Sequence, residues 1–132
     1  MTPDFIIVDD DPINNMVCGK IIKQVFPSAD VQTFTDPEAA LIYIRSNYAK
    51  SNATDALLFL DINMPALSGW EFLDAFELFD ETVKEHIKIY MLSSSVDRRD
   101  KESAYKNKNV LDYFQKPLSW ESVESLLVSL SC

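Results

Sequence analysis

Four short segments of this chain place carboxylate, hydroxyl and ammonium groups directly behind runs of apolar residues. Phe5–Val8 leads into Asp9-Asp10-Asp11, and Ala56–Leu60 into Asp61-Ile62-Asn63-Met64-Pro65. Ile87–Leu92 leads into Ser93-Ser94-Ser95, and Val110–Phe114 into Gln115-Lys116-Pro117. Gathered at one place, such groups define a recognisable chemistry. Clustered carboxylates repel one another unless a cation neutralises them. Hard oxygen donors in a part-open site suit Mg²⁺, which keeps several waters and bridges readily to phosphate. Asp11 stands before Pro12 as a helix cap and is left out of the metal set. Lys116 offers a compact charge for one phosphoryl oxygen, and Ser93 a hydroxyl for another. Asp61 is then the carboxylate free to attack phosphorus and become an acyl phosphate.

The elements that must position these groups are an alternation of strands and helices. The runs Phe5–Val8, Ala56–Leu60 and Ile87–Leu92 are almost continuously apolar, as expected of parallel strands buried on both faces. Val31–Phe34 and Val110–Phe114 are the other two strands. Asp11-Pro12 opens a first helix with Ile13, Met16, Val17, Ile21 and Val25 expected along its buried side, ending at Pro27. Asp36-Pro37 opens a second, carrying Ala40, Leu41, Ile44 and Tyr48. A third follows Ser68-Gly69, with Phe72, Leu73, Phe76, Phe79 and Val83 on one stripe. A fourth, about Arg98–Lys108, has only Ala104 and Tyr105 as non-polar residues, so it is weakly anchored. A fifth starts near Ser119 and aligns Trp120, Val123, Leu127 and Leu130. Five β/α units predict a three-layer, doubly wound α/β fold, in which ligands bind past the carboxyl ends of the strands.

Composition removes the competing chemistries. The chain has 132 residues, enough for one domain spanning 1–132, and a formal charge of −9 that disfavours nucleic acid. Its two glycines, Gly19 and Gly69, cannot form a GxGxxG turn or a P-loop. His86 is the sole histidine, which excludes multi-histidine metal sites; beside Glu85 and Lys88 it reads as a surface residue. Cys18 and Cys132 do not make a disulfide framework, and Cys18 reads as small core filler. With no signal peptide and no membrane-length apolar run, the expectation is a cytoplasmic protein without membrane contact.

Each cluster alone also admits a plain structural reading. Asp9–Asp11 is a solvated turn with one cap, Ser93–Ser95 a polar loop, Lys116-Pro117 an ordinary strand exit and Tyr113 an edge aromatic. Their order along the chain, each at a strand end, argues for a site. The motifs "IIVDDDP" at 6–12, "LFLDINMPALSG" at 58–69, "IYMLSSS" at 89–95 and "DYFQKPL" at 112–118 together resemble the receiver domain of two-component response regulators, of the chemotaxis-regulator type. The resemblance covers essentially the whole chain and implies a flavodoxin-like (βα)5 fold with strand order 2-1-3-4-5.

It further implies that Asp10 is a direct Mg²⁺ ligand and that Asp9 acts largely through water. Asp61 matches the phosphoacceptor, and the Asn63 backbone carbonyl a further metal ligand. Ser93 matches the switch hydroxyl, serine standing where threonine is commoner, and Lys116 the lysine before a cis-proline at Pro117. Tyr113 falls at the aromatic switch position. The implied activity is phosphoryl acceptance from a sensor histidine kinase or a histidine phosphotransfer protein, with self-dephosphorylation as its only turnover. The implied readout is contact with a downstream protein, as a monomer or a phosphorylation-dependent homodimer. Two other readings stay open. One is a haloacid-dehalogenase-type phosphatase using Asp9 and Asp11; the other is a receiver-like interaction module that is never phosphorylated.

Overall fold

The computed structural model describes residues 3–50, 52–94 and 98–130, with side chains described as far as Leu126. Its elements run β1 (Asp4–Val8), α1 (Pro12–Val25), β2 (Val31–Phe34), α2 (Pro37–Asn47), β3 (Ala56–Asp61), α3 (Gly69–Glu77), α4 (Glu81–His86), β4 (Ile87–Ser93), α5 (Arg98–Lys106), β5 (Val110–Gln115) and α6 (Trp120–Leu130). The strands form one parallel sheet in the order β2-β1-β3-β4-β5, as expected. Register places Val8 beside Leu60, Asp61 beside Leu92 and Ser93 beside Gln115. The polar segments that follow these residues therefore share one edge.

Alternation along the strands divides the core into two layers. Ile6, Val8, Leu58, Leu60, Ile89 and Met91 pack with Ala40, Ile44, Phe72, Phe76 and Ala104 on one face. Phe5, Ile7, Leu57, Phe59, Tyr90 and Leu92 pack with Cys18, Ile22, Val123 and Leu126 on the other. On that second face Phe59 lies 5.5 Å from Tyr90 and 6.3 Å from Phe5, ring to ring, tying the three central strands together.

Three helical expectations need correction. On α1 the buried residues are Asn15, Cys18 and Ile22, while Ile13 and Met16 are exposed. The polar Asn15 turns inward because its amide is needed there: Nδ2 donates to the carbonyls of Asp9 at 3.0 Å and Phe34 at 3.3 Å. The stripe expected to run from Phe72 to Val83 is broken into α3 and α4. Leu78 closes α3 with its N–H shared between the Ala75 and Phe76 carbonyls, and Asp80 is extended, so the described residues form six helices. On α6 Val123 and Leu126 are buried and Trp120 is exposed, because the buried stripe starts one turn later; the Leu127 and Leu130 side chains, like Ser95 and Cys132, lie outside the described residues. Among the described residues no helix is long and apolar enough to cross a membrane.

Candidate functional site

Asp9 follows β1 directly, and its N–H donates to the Phe34 carbonyl at 3.0 Å, fixing its backbone to the end of β2. Its side chain has no exposed surface. A buried carboxylate must be paired and hydrogen-bonded, and this one is. Oδ1 accepts from the Asp11 N–H at 2.9 Å; Oδ2 accepts from Asn14 Nδ2 at 2.6 Å and pairs with Lys116 Nζ at 2.6 Å. Asp11 caps α1, its Oδ1 accepting from the Ile13 N–H at 2.9 Å. The engagement of Asp11 as that cap disfavours the phosphatase reading, which uses Asp9 and Asp11.

Asp61, the last residue of β3, is 2% exposed and lies 3.0 Å from Lys116 Nζ. Burial pushes its carboxyl up to about 6; the Lys116 bond opposes that rise and the Asp9 charge adds to it. Burial works against the charge of Lys116, but its bonds to Asp9 and Asp61 outweigh it and hold the ammonium above its ordinary range. Asp10 is exposed at the mouth. Carboxylate oxygens of Asp9, Asp10 and Asp61 all lie within 4.8 Å of one another, an all-oxygen set of the kind that fits Mg²⁺. The exposed Asn63 directs its N–H to Asp61 Oδ1 at 3.3 Å.

Ser93 ends β4 fully buried, and its carbonyl accepts the Lys116 N–H at 2.8 Å, which joins the lysine strand to the serine strand. Lys116–Pro117 is cis, as expected. Tyr113 sits on β5 opposite Met91, partly buried. Thus Asp9, Asp10, Asp61, Ser93 and Lys116 reach one strand-end edge, with Asn63 in the loop beyond β3.

Three further residues shape this edge that the sequence reading gave no part in it. Asn14 holds the Asp9 carboxylate and Asn15 the Asp9 carbonyl; an Asn-Asn pair on the first turn after an acidic pair was the available signal. Gly69 donates its N–H to the Ile62 carbonyl at 2.8 Å, and a Cβ there would lie 2.8 Å from the Asp61 carbonyl oxygen. Only glycine lets the start of α3 approach β3 so closely. Two residues prove structural. The Cys18 thiol is pushed up to about 11, chiefly by burial and then by the Asp9 charge. His86, expected at the surface, is half-buried just before β4, at the opposite end of the strands from this edge, its Nδ1 2.9 Å from Asp55 Oδ1.

A doubly wound parallel sheet with acidic groups, a serine and a lysine past its carboxyl edge is the architecture of flavodoxin-like signalling receivers. The chain belongs to the response regulator receiver domain family, whose model matches residues 5–127. A response regulator receiver protein of Dyadobacter fermentans is 30% identical with a TM-score of 0.87, the match covering 97% of each chain. Hybrid signal transduction histidine kinase I of Dictyostelium discoideum is 30% identical over 121 residues, 90% of this chain. Stress response regulator protein 1 of Meyerozyma guilliermondii is 36% identical over 67 residues, 51% of this chain. The matched stretches make up 7% and 28% of those two curated relatives. This chain is therefore a regulatory receiver of two-component signalling.

Proposed function

We propose that this chain is a working receiver, phosphorylated on Asp61 in a Mg²⁺-dependent reaction. The observation that carries the reading is the buried Asp61 carboxylate 3.0 Å from Lys116 Nζ, with Asp9 and Asp10 oxygens within 4.8 Å. Asp10, Asp61 and the Asn63 carbonyl would hold Mg²⁺, with Asp9 contributing through water. Bound there, Mg²⁺ supplies positive charge that offsets the charge building on the phosphoryl oxygens.

An Asp61 carboxylate oxygen attacks phosphorus as the bond to the donor nitrogen breaks, leaving an acyl phosphate on Asp61 and a histidine on the donor. Lys116, already charged, stabilises a phosphoryl oxygen without giving up a proton. Ser93 donates its hydroxyl to another, and Tyr113 follows the space it leaves. The donor is a phosphohistidine on a sensor kinase or phosphotransfer protein, seated near the exposed Ile13 and Met16 of α1. Tyr105, Leu111 and Trp120 are exposed on α5, β5 and α6 and offer a face for a downstream protein. Residues 1–132 act as one receiver domain in the cytoplasm.

Incubation with Mg²⁺ and acetyl phosphate tests the reading. One acid-stable, base-labile phosphoryl group should appear and be lost in Asp61→Asn. Labelling that persists on a serine in that variant would overturn the assignment, and no labelling at all would favour the unphosphorylated interaction module.

A further inference from the structure

The cleft between α1 and the outer edge of β2 lies beside the site described above, sharing Asn15 and Met16 with it, and no role has yet been given to its β2 side. It has a volume of about 490 Å³ and is lined by Asn15, Met16, Gly19, Lys20, Val31 and Thr33 among others. We propose that it docks an extended acidic segment of a partner protein, added as a further strand beside β2.

The first support is the strand edge itself. The Phe5 N–H donates to the Asp30 carbonyl at 2.8 Å and the Asp9 N–H to the Phe34 carbonyl at 3.0 Å. In a parallel ladder with Phe5 beside Val31, Gln32 shares the direction of Asp30 and Phe34, toward β1. The N–H and C=O groups of Val31 and Thr33 therefore point to the free edge, on the two strand residues that line the cleft. Such an edge is a template for strand addition, and its side-chain pockets set which strand fits.

The second support is Gly19. A glycine in the middle of a helix is unfavourable relative to alanine. Nothing in the packing demands it, because a Cβ there would meet only Val31 Cγ1 at 3.9 Å, ordinary contact distance, and the backbone φ is not positive. What glycine does at this place is leave the floor of the cleft open.

The lysines name the charge of the occupant. Lys20 and Lys23 add two exposed positive charges to the lining in a chain whose net charge is −9. A strand with a small apolar residue over Gly19 and carboxylates flanking it meets the open floor, the edge groups and the lysines together.

The probe is a blocked heptapeptide of threonines with valine at its centre and glutamate two places to either side, titrated into the ¹⁵N-labelled full chain. Saturable amide shifts should concentrate in residues 15–24 and 30–34. Binding should weaken about tenfold or more in Lys20→Glu/Lys23→Glu, whose changes are on the surface, and should vanish in Gly19→Leu. The same peptide with lysine for glutamate should leave the spectrum unchanged. Equal binding of the lysine peptide, a helical bound peptide, shifts centred elsewhere, or no shift at millimolar peptide would each overturn the proposal. So would self-association of the chain through β2 in the absence of peptide.

Discussion

Lys116 Nζ lies 2.6 Å from Asp9 Oδ2, closer than its 3.0 Å approach to Asp61. In this state the lysine serves first as the counter-charge of a carboxylate that has no exposed surface. Removing one partner of a buried pair leaves an uncompensated charge, which costs far more than the pair itself is worth. Lys116→Met should therefore lower stability by roughly 3 kcal/mol, while Lys116→Met with Asp9→Asn should recover most of the loss. Urea denaturation of the two variants and the wild type checks this. Equal losses in the single and double variants would show that Asp9 does not depend on Lys116.

Metal binding should relieve the repulsion among Asp9, Asp10 and Asp61, whose oxygens lie within 4.8 Å of one another. At a tenfold excess over its dissociation constant, Mg²⁺ should stabilise the fold by about 1.4 kcal/mol, or a few degrees in Tm. Asp10→Asn should melt higher than the wild type without metal and respond less to it. Calorimetry at constant ionic strength is the measurement; identical melting in Mg²⁺ and in sodium salt would sink the metal site.

Gly69 carries a steric demand that Gly19 does not. A Cβ at residue 69 would lie 2.8 Å from the Asp61 carbonyl oxygen and 2.9 Å from Ile62 Cα, both backbone atoms that cannot swing aside. Gly69→Ala should cost roughly 2–3 kcal/mol by overpacking and slow Asp61 phosphorylation, because the backbone that must shift carries the acceptor. Denaturation and acetyl phosphate labelling measured side by side decide it. A variant as stable as the wild type would mean that α3 simply moves away.

How far the sequence disclosed this arrangement depended on what kind of signal each residue gave. β1, β3 and β4 were legible because burial on both faces leaves unbroken apolar runs. The starts of α1 and α2 were legible because Asp-Pro caps a helix through one bond, seen here at 2.9 Å from Asp11 and 3.0 Å from Asp36. The buried face of α1 was not, because apolar periodicity cannot show that Asn15 is drawn inward by two carbonyls from other segments. Asn14 was missed for the same reason: its partner is an oxygen, and hydropathy is blind to that. The break between α3 and α4 went unseen because Phe79 and Val83 still pack on the same core as Phe76.

Glu77 gives a pH dependence with a definite sign. Its carboxylate pairs with Lys108 at 2.8 Å and Lys84 at 3.4 Å and accepts from Asn109 at 2.5 Å. The Lys108 bond, then the Asn109 bond, pull its pKa from 4.5 down to about 2. A carboxyl depressed on folding contributes stability above its unfolded pKa and loses it as pH falls through the folded one. The Tm advantage of the wild type over Glu77→Gln should therefore be full above about 4.5 and disappear toward about 2. An advantage independent of pH across that window would show that the carboxylate charge is not what holds residues 108 and 109.

That anchor bears on how a signal would leave the phosphorylation site. α5 buries only Ala104, and Tyr105, 52% exposed, is held to β5 by its hydroxyl donating to Asp112 Oδ1 at 3.0 Å. The turn after α5 is fastened to α3 through Glu77, so the helix has one buried residue along its length and is fixed at its far end. Few buried apolar contacts make an element cheap to move. A phosphoryl group on Asp61 should draw the Ser93 hydroxyl inward, open space behind it on β4, and let Tyr113 swing from the neighbouring strand. α5 should then shift about the pinned turn and change the face made by α5, β5 and α6. Hydrogen exchange with and without beryllofluoride reads this directly. Changes should appear through 98–106 and in β5, stay small at 107–109, and shrink in Ser93→Ala. A response confined to the loops around Asp61, or one indifferent to Ser93, would send the signal out by another route, and exchange that rises most at 107–109 would show that Glu77 is no pivot.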